Sequence, residues 1–154
     1  MRCSEIMKTE VECVSPQTSI REAARRMRDY AIGFLPVCDD SMRPLGTITD
    51  RDIAVRAVAG ELSTRGPVSA CMSADVIECS PRDDVEYARE LMGRYRVSRI
   101  MCTGGDGRLE GIISLSDLVD IDERSGARTL RRVSQREVHG DSMQQPPRYF
   151  GPGF

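Results

Sequence analysis

The chain has 154 residues, of which 40% are hydrophobic and 30% charged, with a net charge of −2. That size and balance predict one soluble globular unit and exclude a barrel enzyme of ~250 residues. The near-neutral charge argues against a general nucleic-acid or membrane-surface binder, and no apolar run approaches the roughly 18 residues that cross a bilayer.

Along the chain, a short strand at Val11–Val14 meets the Ser15-Pro16 break. Thr18 or Ser19 then caps a helix running to about Asp29, with Ser19-x-x-Glu22 as a capping box. Ile20, Ala23, Ala24 and Met27 fall on one face of it. Phe34–Cys38 reads as a strand, Asp39–Arg43 as a turn, Leu45–Thr49 as a second strand, and a helix follows from Asp50 to about Ala59. Gly60–Pro67 is a breaker-rich connection.

The same order then recurs: strand Val76–Cys79, helix Asp83–Arg94, strand Arg99–Cys102, the Gly104–Gly107 turn, strand Leu109–Ser114, and a helix. Sliding the sequence by 65 residues superposes 7–53 on 72–118 without a gap, and 11 of the 47 pairs are identical. The fold expected is α/β (α+β), a duplicated β-α-β-β-α unit packed with pseudo-two-fold symmetry. Half-cores of ~50 residues are too small to stand alone. The boundaries are residues 1–60 for the first repeat, 61–66 for the linker and 67–120 for the second. A helical extension over 121–138, interrupted at Ser125-Gly126, and a disordered tail over 139–154 follow.

One motif carries chemistry in both copies: Gly46-Thr-Ile-Thr49-Asp50-Arg51-Asp52 and Gly111-Ile-Ile-Ser114-Leu115-Ser116-Asp117. A hydroxyl residue begins the turn and an Asp follows three residues on. Read structurally, this is a helix capping box. Read functionally, a helix N-terminus with a hydroxyl suits a phosphate, and an acidic side chain can take both hydroxyls of a ribose. Duplication of the motif favours the second reading; both stay open.

These residues together resemble tandem cystathionine β-synthase (CBS) domains, the pair called a Bateman module. The duplication carries the resemblance, with SPQTSI and SPRDDV at the helix entries, IGFLPVCD and VSRIMCT in the middle, and GTITDRDI and GIISLSDLV at the end. It covers about 1–120. It implies a non-catalytic regulatory module with two clefts that bind adenosine-containing ligands, AMP, ADP or ATP ahead of NAD or S-adenosylmethionine. By position, Thr49 and Asp52 serve one cleft; Ser114, Ser116 and Asp117 serve the other. The resemblance sets Ile32 and Gly33 against adenine in the Asp117 cleft, and Val97 and Ser98 in the Asp52 cleft. Arg99 and Arg51 are the candidate phosphate contacts. Met101 departs from the family pattern, since copy one has the usual Pro36 there.

Six Cys without a C-x-x-C pair predict reduced, buried thiols in a cytoplasmic protein, and Cys13 and Cys79 beside the clefts are expected to be ordinary thiols. The single histidine, His139, falls in the tail, so no catalytic residue and no metal site are expected. A homodimer and an unknown effector protein are the expected partners. Two other classes compete: a ligand-free structural or dimerisation module, and nucleic-acid binding through Arg124, Arg128, Arg131, Arg132 and Arg136.

Overall fold

The computed structural model describes residues 1–121 and 123–138. Helix α1 (Ile20–Asp29) starts as its sequence dictates, the Ser19 Oγ accepting the Glu22 N–H at 3.1 Å. Ile20, Ala23 and Met27 are buried along one face. The remaining first-turn N–H groups find partners in the linker. Ile20 donates to the Gly66 carbonyl at 2.9 Å and Arg21 to that of Thr64 at 2.8 Å, so the breaker-rich stretch closes off a helix end.

Strands β1 (Phe34–Cys38) and β2 (Pro44–Thr49) form an antiparallel hairpin. The single α turn α2 (Asp50–Asp52) then passes into π-helical Ile53–Val58, where one continuous α-helix was expected. The wider winding shows in Ala59 donating to Ala54 and Leu62 to Ala57, each five residues back.

In the second copy, β3 (Glu78–Cys79) pairs parallel with β4 (Arg99–Thr103), which pairs antiparallel with β5 (Leu109–Ser114). Between them lies α3 (Val85–Tyr95), capped by Asp84. Helices α4 (Leu115–Ile121) and α5 (Glu123–Val138) follow. The interruption expected at Ser125-Gly126 does not occur. Packing of α5 against α3 and α4 outweighs the ~1 kcal/mol that an internal Gly costs. The tail expected over 139–154 lies outside the described residues.

The predicted first strands are corrected by the structure. Val11–Val14 shrinks to one parallel bridge, Val14 with Val37, and Val76–Cys79 to two residues. The difference between the copies traces to Pro36 and Met101. Met101 donates its N–H to the Ile77 carbonyl at 3.2 Å, whereas Pro36 has none to give.

The chain divides into two units that cut across the repeats. One is Glu12–Val76; the other joins Met1–Val11 to the described residues that follow Val76. Each unit thus contains one helix–hairpin and the leading segment of the other repeat. In one unit Ser73 exchanges N–H···O bonds with Thr47, both 2.8 Å. In the other, Lys8 does so with Ile112, at 2.9 and 3.0 Å. Here the glycine shared by the two copies of the motif finds its purpose. A Cβ on Gly46 would lie 2.2 Å from the Ser73 carbonyl oxygen, and one on Gly111 would lie 2.9 Å from that of Lys8. The cores are aliphatic: Leu35, Val37, Ile48 and Val68 in one unit; Met92, Ile100, Ile113 and Leu118 in the other.

Candidate functional site

Both motifs sit where a hairpin strand hands over to a helix. In the Glu12–Val76 unit, Thr49 stays extended and its Oγ1 accepts the Asp52 N–H at 3.1 Å. Asp52 Oδ2 accepts the Thr49 N–H in return, at 2.9 Å. That is the reciprocal capping box. The second carboxylate oxygen, Oδ1, faces Arg56 Nε at 3.5 Å, and both side chains are nearly buried, at 14% and 10% exposed. Arg56 Nη1 also donates to the carbonyls of Cys71 and Met72, at 3.3 Å each. The Asp50 N–H donates to the Gly33 carbonyl at 3.1 Å, which sets Ile32-Gly33 beside this turn. Arg51 is exposed.

In the other unit, Asp117 Oδ2 accepts the Ser114 N–H at 2.7 Å and also its hydroxyl. Ser116 Oγ lies 2.7 Å from Ser114 Oγ. The Leu115 N–H donates to the Ser98 carbonyl at 2.9 Å, so Val97-Ser98 adjoin this turn as Ile32-Gly33 adjoin the first. Arg99, half-buried, opens β4. Asp117 Oδ1 receives Lys8 Nζ at 3.0 Å. Each motif carboxylate therefore spends one oxygen on its cap and turns the other to a cation.

Burial pushes the Asp117 carboxyl up, but the Ser114 hydroxyl, the Ser114 N–H and the Lys8 ammonium together hold it below the usual aspartate range. A folded-state value below the unfolded one gives stability that is complete above the ordinary 3.8 and lost as pH falls through the folded value. Acid titration followed by circular dichroism should thus show a shallower loss of stability below about pH 4 in Asp117→Asn than in the parent chain. Equal slopes would contradict the role assigned to these contacts.

Lys8 and Arg56 are the partners that sequence reasoning passed over. Arg56 had a local signal, the Asp52-x-x-x-Arg56 spacing of a helical ion pair. Lys8 had none, because 109 positions of chain separate it from Asp117. Two surface depressions, of about 330 and 340 Å³, lie elsewhere on the Lys8-containing unit. One is lined by Glu78, Cys79, Asp83 and Tyr87, the other by Tyr87, Leu91, Arg94 and Arg132. Neither includes a motif residue, and a concavity without the motif chemistry is the weaker candidate.

The family model for the CBS domain matches twice, over residues 3–58 and 68–124. The chain belongs to the CBS-domain family. It is 32% identical over 137 residues to the CBS domain-containing protein YhcV of Bacillus subtilis, covering 88% of this chain and 96% of that protein. Among solved structures, the CBS-domain protein ATU1752 of Agrobacterium tumefaciens is 32% identical with a TM-score of 0.69, over 79% of this chain and 98% of its own. The CBS domain pair of protein MJ0100, solved in complex with 5-methylthioadenosine and S-adenosyl-L-methionine, has a TM-score of 0.72 over 80% of this chain and 97% of its own. Its 23% identity establishes the shared fold alone.

With two CBS domains the chain is of regulatory type. All six cysteines are free thiols. Cys79 Sγ lies 3.8 Å from that of Cys3 and 3.7 Å from that of Cys102. The hydrogen bond with Cys102 and burial push Cys79 up to about 12, which leaves almost no thiolate at neutral pH. The half-buried Cys13 is shifted the other way, chiefly by its hydrogen bond with Cys38. No helix among the described residues is long and apolar enough to cross a membrane.

Proposed function

We propose that this chain is a non-catalytic sensor that binds an adenosine-containing ligand at its Ser/Thr–Asp motifs and transmits occupancy to an effector protein or within a homodimer. The observation that carries this reading is the twofold delivery of a capped aspartate whose outer oxygen faces a cation. A ribose diol and a phosphate need those same two charges side by side. AMP, ADP and ATP are the first ligands to test; the methylthioadenosine and S-adenosyl-L-methionine found with MJ0100 place those two molecules in the same panel. A ligand of this kind acts only through its differential affinity for two arrangements of the protein. Occupancy is expected to be read inside the cytoplasm.

Isothermal titration calorimetry of the full chain with AMP, ATP, S-adenosylmethionine, methylthioadenosine and NAD tests it. Asp117→Asn and Asp52→Asn should each weaken one site by about 1–3 kcal/mol through the lost charged hydrogen bonds. Silence across the panel would favour the second reading, a structural or dimerisation module, which has the completed capping boxes in its support. Nucleic-acid binding through the α5 arginines has less behind it, since Arg132 lies against Gly93 of α3.

A further inference from the structure

The two motif carboxylates differ in how firmly their cations hold them. Arg56 is 10% exposed, belongs to the π-helical stretch that follows Asp52, and is tied to two backbone carbonyls besides. Breaking a nearly buried pair strands a charge away from water. Asp52 is therefore the more firmly held of the two. Lys8 reaches Asp117 from another segment, and its side chain is 69% exposed while Asp117 is 13% exposed. An ammonium on a flexible, solvated stem holds its partner weakly.

The backbone at Lys8 is fixed nonetheless, by its two hydrogen bonds with Ile112. Only the side chain is free to swing. Its counterpart in the other repeat, 65 positions on, is Ser73, which carries no charge. The arrangement thus occurs once in the molecule.

We infer that the Asp117 site is the more readily exchanged of the two, and that Lys8 makes it selective for an anionic nucleoside, a nucleoside 5′-phosphate, over the neutral nucleoside. The ribose hydroxyls take over Asp117 Oδ1, and the displaced ammonium turns to the phosphate, so the ion pair is replaced by two charged contacts. This deepens the sensor reading and rests on it.

Lys8 is the only lysine in the chain, which makes the experiment direct. Selective isotope labelling of lysine in this chain gives a single side-chain signal, to be followed by NMR during titration with AMP and with adenosine. Calorimetry on the same samples gives the affinities. AMP is expected to bind about tenfold more tightly than adenosine and to move the Lys8 signal further. In Lys8→Met, which keeps the main-chain pairing, AMP should fall to the level of adenosine while adenosine binds as before or better. Equal affinities in the parent chain, or a preference that survives in Lys8→Met, overturn the inference but leave the sensor reading standing. Loss of the preference in Arg99→Met and not in Lys8→Met moves the phosphate to β4 and overturns it likewise. Binding of neither molecule, nor of any member of the wider panel, removes both.

Discussion

Gly46→Val should cost about 3 kcal/mol and lower the melting temperature by roughly 10 °C. The reason is geometric. A Cβ at position 46 would stand 2.2 Å from the Ser73 carbonyl oxygen and 3.3 Å from the Ala74 Cα. The obstacle is backbone, which cannot step aside as a side chain end can. Relief requires pulling Ser73 away from Thr47 and breaking two 2.8 Å hydrogen bonds, in a unit whose core includes Ile48 and Val68. Thermal denaturation by circular dichroism measures the effect, and an unchanged midpoint would refute the close approach. Gly111→Val should be milder, because two of its three nearest neighbours are side-chain atoms of Met7.

Leu118→Ala is expected to cost about 3 kcal/mol, within the ~2–5 typical of an emptied core site. Leu118 is fully buried in a cluster with Val85, Ala88, Met92, Ile100 and Ile113. It follows Asp117 in α4, so it anchors the helix that carries the candidate site. Urea denaturation should show a lower midpoint at an unchanged slope. Leu118→Met, close in volume, should lose less than ~1.5 kcal/mol. A Leu118→Ala variant as stable as its parent would mean that α4 is not anchored by this residue.

Much of the fold was legible because the repeat preserves what the backbone demands. Gly46 and Gly111 admit a crossing segment, Asp52 and Asp117 close the caps, and Met27 and Met92 fill equivalent core positions. Helix α1 announced itself by apolar spacing and by its capping residue, and α3 by recurrence of the same order. The first strands survived only in part, as two residues in copy two and one bridge in copy one, where a proline at Pro36 offers its neighbour no donor. The π-helical winding of Ile53–Val58 left no mark in an apolar pattern that suits an α-helix equally well.

Of the candidate site, the capping pairs were readable, since three residues fix them. Their cations were not equally so. Arg56 follows Asp52 at helical spacing, but Lys8 comes beside Asp117 only through the crossing of a distant segment. Local sequence encodes faces and caps; it does not encode which far segment lies alongside.

That crossing changes what a half of this molecule is. A fragment cut at the repeat boundary would carry a leading segment that completes the other unit and would lack the one that completes its own. A single-repeat ancestor could have finished its sheet only by borrowing the leading segment of a second chain. Duplication would then have turned a trade between two polypeptides into a trade within one, so that completing each sheet no longer depends on protein concentration.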